Sequence, residues 1–224
     1  MQYRQLSDSF SKSEKENFFA MISRLKAQGI VDSTLFNAFE KTPRSIFAPP
    51  HFIDVVWSNR TIPIECGSFM EGADLAARMI HHLKVKAGHR VLEVGTGSGF
   101  TATVIAQIAE RVFTIERYKT LVVAAQKRLE ILSINSVIVR QYDGSRGMSI
   151  EGTFDRIFLT TAFPSLPRVY VDQLVPGGLM IIPLIFPNNE CKVVRVTKTG
   201  HSLEQEELFQ APYLPITPKI SLFL

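Results

Sequence analysis

The chain has little that would staple it, anchor it or load it with metal. Its 224 residues include only two cysteines, Cys66 and Cys191. That is too few for a disulfide framework or a thiolate metal set, and free buried thiols in a reducing cytoplasm are the expectation. No apolar run could span a bilayer, and the longest, 177–186, contains Pro183. The N-terminus is polar and charged, without the apolar centre of an export signal, so a cytoplasmic placement with no membrane partner is expected. No block of lysine or arginine occurs. The balance of 25 basic against 21 acidic residues leaves +4, too mild and too dispersed to call for nucleic acid. Repeats and low-complexity tracts are missing. The five histidines do not gather: His81 and His82 are adjacent on a predicted helix, while His51, His89 and His201 fall in predicted loops. No metal site is expected.

What is present is an ordinary globular composition, 46% hydrophobic and 21% charged. Residues 1–10 are polar and read as loose. A helix is predicted over 13–28, opened by a Ser13/Glu16 capping pattern and closed by Gly29. Asp32 caps a second helix that Pro43 stops. Residues 48–57 read as a loop, because Pro49-Pro50 opposes helix, and 61–64 as a short extended piece. A helix over 73–84 carries Leu75, Ala76, Met79, Ile80 and Leu83 on one stripe. Strands at 90–94, 111–116, 137–140, 154–160 and 179–183 then alternate with helices at 100–109, 118–132 and 165–174. Such alternation predicts an α/β fold with a mainly parallel sheet and helices on both faces. After a turn at 187–189, segments 191–197 and 203–209 read as strands added at a sheet edge. The organisation expected is one domain: a helical cap (1–66), a cofactor-binding α/β core (67–186) and C-terminal edge strands (187–224).

The chain is organised around Val91 to Phe100. A β-branched strand ends in Gly95, Gly97 and Gly99, and a helix follows. Strand, bare-backbone turn and helix form the arrangement on which nucleotide-like cofactors lie. A dinucleotide fingerprint spaces its glycines G-x-G-x-x-G. Here the spacing is G-x-G-x-G, and Phe100 stands where the third dinucleotide glycine would be. Glu93 adds an acid at the strand end, which opposes a pyrophosphate and suits a cation. The stretch therefore fits S-adenosylmethionine rather than NAD.

Acids recur at the next strand ends. Glu116 falls about 20 residues beyond the glycine turn, where this class of fold binds ribose hydroxyls. Asp143-Gly144 follows the third strand, placing Asp143 to accept from an adenine amino group. Thr160 and Thr161 end the fourth strand, where they either position substrate or cap the following helix.

These residues carry a family resemblance. The chain resembles the protein-L-isoaspartate O-methyltransferases from about Phe18 to Leu184. The resemblance rests on 29–32, on Thr42-Pro43-Arg44-Ser45-Ile46-Phe47, on 91–100, 115–117, Asp143-Gly144, 154–157 and 174–178. The glycine turn is common to many methyltransferases, whereas the Pro-Arg-x-x-Phe element is far more specific. The resemblance implies a Rossmann-like methyltransferase fold, S-adenosyl-L-methionine as cofactor with S-adenosyl-L-homocysteine as product, and no metal. It also implies methylation of the α-carboxylate of L-isoaspartyl residues in damaged proteins or peptides. That carboxylate is ionised at neutral pH, so alignment and shielding suffice and no general base is needed. The cofactor set is then Glu93, Gly95, Thr96, Gly97, Ser98, Gly99, Glu116, Arg117, Asp143 and Gly144. Ser68, Glu71, Thr160 and Thr161 are left for the acceptor side. One segment departs from the family, which usually has Gln-Thr/Ser-Ile-Ser-x-Pro where this chain has Ser68 to Ala73. Glu71 stands at the family's serine, in a loop that the resemblance places beside the acceptor carboxylate and the methionine end of the cofactor. Glu71 is expected to face the cofactor's cationic end. A different acceptor, or a cofactor-binding protein without isoaspartyl activity, are the alternatives.

Overall fold

The computed structural model describes residues 12–200 and 202–222, so the expectations for residues 1–10 and for His201 lie outside the described residues. The N-terminal part packs α1 (Lys12–Ala27) and α2 (Ser33–Glu40) against α3 (Ala73–Leu83). Asp32 caps α2 as expected, accepting from the Leu35 N–H at 3.0 Å. Ser13 lies inside α1 and is not its cap. Neighbouring Glu14 is instead buried and accepts from the Trp57 indole N–H at 3.2 Å and the Ser45 hydroxyl at 3.0 Å. The expected loop at 48–57 contains a 3₁₀ helix, Pro50–Val55. Proline opposes the interior of a helix but suits its first position, where its fixed φ is already helical and its missing N–H costs nothing.

Two short strands, β1 (Ile62–Pro63) and β2 (Phe69–Met70), pair antiparallel and fold the intervening loop into a hairpin. The main sheet comprises β3 (Arg90–Val94), β4 (Arg111–Glu116), β5 (Val137–Gln141), β6 (Phe154–Leu159), β7 (Leu174–Ile185), β8 (Cys191–Thr199) and β9 (Ser202–Gln210). Its order is β5-β4-β3-β6-β7-β8-β9. The first five strands are parallel and the last two antiparallel. This is the expected Rossmann-like methyltransferase architecture with strands added at one edge. The strand order reverses between β3 and β6, which opens a crevice at their C-terminal ends.

The sheet's alternation divides the apolar residues between two faces. Val91, Val112, Phe158 and Ile181 pack under α1–α3, α4 (Phe100–Ala106) and α5 (Lys119–Ile131). Leu92, Ile115, Ile157 and Met180 face the other side, which is covered by α6 (Arg168–Asp172) and irregular chain. There α6 is shorter than the predicted 165–174, since Pro167 sets its start. α4 stops at Ala106, short of the predicted 109. β7 is longer than predicted because β6 and β8 hydrogen-bond it from both sides. Phe39, Phe47 and Trp57 meet Phe100 edge-on, and Phe18 meets Trp57 in the same way, tying the N-terminal helices to the helix after the glycine turn.

After β9 the chain does not remain at the edge. Segment 212–221 runs back across the C-terminal ends of the parallel strands. Ala162 pairs with Pro215, Ile216 N–H donates to Ala162 C=O, and Ser221 N–H donates to Arg117 C=O. No helix among the described residues is long and apolar enough to cross a membrane.

Candidate active site

The three glycines of the turn adopt positive φ, +100° at Gly95, +51° at Gly97 and +88° at Gly99. Gly95 and Gly97 line the cavity over the strand ends, together with Thr96 and Ser98. The Gly99 Cα does not reach the cavity. A Cβ there would lie 3.1 Å from that of Ala125, so this glycine lets α5 pack against the turn.

Glu116 ends β4 in the cavity wall. Its carboxylate accepts from three backbone N–H groups: Arg117 at 2.8 Å, Tyr118 at 3.1 Å and Gly97 across the turn at 3.1 Å. Burial raises its pKa against the pull of those donors. Glu93 is fully buried and does not line the cavity. It accepts from Thr101 and Thr114, each at 2.5 Å, and Thr114 in turn bonds Thr96 at 2.7 Å. Glu93 thus shapes the turn from behind. Burial pushes its pKa up to about 8, with the Glu71 and Glu116 charges adding to the effect. Asp143 is also absent from the wall. Its carboxylate caps its own turn, accepting from Ser145 N–H and hydroxyl at 2.9 and 2.7 Å, while Gly144 beside it does line the cavity.

Ser68, Glu71, Thr160 and Thr161 also line the cavity, Thr160 directly against the turn at Gly95. Neither threonine caps a helix. Thr160 donates to the Val94 or Gly95 C=O, both at 3.0 Å. Thr161 donates to Leu214 C=O at 3.0 Å and so holds the returning C-terminal segment. Glu71 is partly buried, and its carboxyl accepts from the Tyr213 hydroxyl at 3.4 Å. Burial raises its pKa, opposed by its own backbone N–H, Arg44 and Tyr213. Arg44 lies behind this wall with no exposed surface. It donates through Nη2 to the Glu71 C=O and stacks on Phe100, 4.3 Å from the ring centre. Burial lowers its pKa to about 10, against the attraction of Glu71 and Asp74, so it remains a cation at neutral pH.

Tyr118, Tyr142, Cys66 and residues 213–217 also line the cavity, and sequence reasoning assigned none of them to it. For the tyrosines a signal existed, since Tyr118 lies two residues after Glu116 and Tyr142 immediately before Asp143, both already singled out. For 213–217 none did, because nothing local to that segment points back to the glycine turn. Both cysteines are free and half-buried. His81 pairs with Asp32 at 3.1 Å. His82 packs against Phe209, and burial foremost lowers its pKa to about 4. Among the described residues no group of three histidine, cysteine or acidic side chains is placed to hold a metal.

Residues 15–221 match the family described as protein-L-isoaspartate(D-aspartate) O-methyltransferase. A protein-L-isoaspartate O-methyltransferase of Rhizobium meliloti (strain 1021) is 55% identical over 204 residues, 91% of this chain and 100% of that protein. One of Parvibaculum lavamentivorans is 39% identical over 95% of this chain and 96% of its own length. Among solved structures, a protein of that name superimposes with a TM-score of 0.79 at 21% identity, over 92% of this chain and 66% of the other. A putative Plasmodium falciparum protein-L-isoaspartate O-methyltransferase, solved with S-adenosyl-L-homocysteine, gives 0.74 at 22% identity, over 88% and 97%. Likeness at that identity speaks for the fold.

Proposed function

The chain belongs to the protein-L-isoaspartate(D-aspartate) O-methyltransferase family and is an S-adenosylmethionine-dependent methyltransferase of L-isoaspartyl residues; we propose that the cavity over β3, β4 and β6 is where transfer takes place. The observation that carries this is the convergence of the Gly95–Ser98 turn, Glu116 and the 213–217 segment on one cavity. The residues suit the cofactor. Gly95 and Gly97 present backbone without side chains, Glu116 offers an acceptor for hydroxyls, and Tyr118 and Tyr142 offer aromatic surface. A carboxylate has about four acceptor positions, of which three at Glu116 are taken, leaving roughly one for a ribose hydroxyl rather than the pair expected from sequence.

The bound cofactor supplies an electrophilic methyl group on a sulfonium. The protein's task is positional. The turn and Glu116 fix the nucleoside side, Thr96 is braced from below by Thr114 and Glu93, and segment 212–221 excludes water above. Ser68 and Tyr213 offer hydroxyls on the side left for an acceptor carboxylate. Alignment of an already ionised nucleophile needs no base. Labelled-methyl transfer to an isoaspartyl peptide and to its aspartyl twin tests the assignment. Label on the isoaspartyl peptide alone is the expected result. Equal labelling, or none by a folded protein that binds S-adenosylhomocysteine, would overturn it.

A further inference from the structure

The cavity contains a contradiction in charge. An acceptor carboxylate must enter a space whose wall carries the carboxyl of Glu71. Behind that wall is the opposite anomaly. Arg44 is completely buried, yet its Nε and Nη1 have no hydrogen-bond partner among the described residues. Stacking on Phe100 covers one face of the guanidinium and leaves those N–H groups unsatisfied. Leaving buried charged donors unpaired is costly. Two carboxylates act on Arg44 electrostatically, Glu71 and Asp74. Asp74 is committed, since Arg24 holds both its oxygens at 2.8 and 2.6 Å. Glu71 has capacity to spare: beside its own backbone N–H, its carboxyl accepts the Tyr213 bond, long at 3.4 Å, and the Glu71 backbone is already fastened to Arg44 through its carbonyl.

We propose that Glu71 is a movable gate: its carboxylate leaves Tyr213 and docks on the free Nε and Nη1 of Arg44 when an acceptor carboxylate enters. This rests on the isoaspartyl reading given above. The move removes a negative charge from the acceptor's path and satisfies the two buried donors. It also frees the Tyr213 hydroxyl, buried in the same wall, to donate to the incoming carboxylate. Arg44 is then a positioning residue that acts through Glu71, and Tyr213 is the acceptor's contact.

A mutant cycle on the full-length protein tests the gate, with KM for an isoaspartyl peptide, kcat and S-adenosylhomocysteine affinity as separate readouts. Arg44→Met removes the docking place, and KM should rise about tenfold while S-adenosylhomocysteine affinity stays within about twofold. In the Glu71→Ser background the same change should leave KM nearly unmoved, because no charge remains to be parked. Arg44→Lys, which keeps a buried cation, should recover part of the loss and stands in if the methionine variant does not fold. Tyr213→Phe should raise KM severalfold. Equal effects of the Arg44 changes in both backgrounds overturn the gate and leave the methyltransferase reading standing. Weakened S-adenosylhomocysteine binding by Glu71→Gln overturns it in favour of a Glu71–cofactor pair. Transfer by Glu71→Ser but not by the unaltered protein overturns it in favour of a fixed block. Failure of both to methylate the peptide overturns the isoaspartyl reading, and the gate with it.

Discussion

The hydroxyl of Thr160 fills the space that a side chain at Gly95 would need. A Cβ on Gly95 would fall well inside contact distance of Thr160 Oγ1, and the backbone there has φ +100°. The same hydroxyl ties the end of β6 to the end of β3 through Val94 and Gly95 C=O. Gly95→Ala therefore meets two obstacles, and backbone strain alone costs about 1–3 kcal/mol. Denaturant unfolding should show a loss of at least that size. Adding Thr160→Ala should recover only the collision part; full recovery would show that the φ angle carries no strain.

Glu116 organises the turn as well as facing the cavity. Glu116→Ala strips an acceptor from three N–H groups, one of them on Gly97. Hydrogen bonds to a charged group contribute about 1.5–3 kcal/mol, so S-adenosylhomocysteine affinity should fall by one to two decades or more. Calorimetry gives the affinity and thermal unfolding should show a lower Tm alongside. A variant with unchanged affinity would place the cofactor elsewhere.

Glu93 makes stability depend on pH. Its folded pKa of about 8 lies above that of a carboxyl in the unfolded chain. Between those values the native state holds a proton that the unfolded state has released, so its contribution falls as pH rises through the window. Burial raises the pKa of Glu71 and Glu116 too, and their contributions run in the same direction. Glu93→Gln cannot ionise. Its stability relative to the unaltered protein should improve from pH 5 to pH 8, with a slope approaching ~1.4 kcal/mol per pH unit at most. Parallel stability profiles would show that Glu93 is ionised throughout.

The returning C-terminal segment should govern how fast the cofactor leaves. Thr161→Val removes the bond to Leu214 C=O without emptying the site. One neutral hydrogen bond contributes about 1 kcal/mol, which predicts severalfold faster S-adenosylhomocysteine dissociation in stopped flow. An unchanged rate would mean that release does not require the segment to lift.

The sequence by itself determined the α/β alternation, the glycine turn and the residues at the parallel strand ends. These are local signals: periodicity, the need for bare backbone, and a fixed distance from turn to acid. β3 and β4 fall at the predicted residues because each is short, buried on both faces and punctuated at its ends. Only the tertiary structure decided what each acid does. Glu93, Glu116 and Asp143 look alike in sequence, as acids near strand ends. Folding gives Glu93 two threonines behind the turn, Glu116 three backbone donors in the wall, and Asp143 its own cap. The side chain's partners set that outcome, and they come from other elements. Distance along the chain likewise hid Tyr213 from Glu71, Leu214 from Thr161 and Arg44 from Phe100. Strand-end positions can be read from local pattern, but the pairing of distant residues depends on how the sheet, the N-terminal helices and the returning segment close around one cavity.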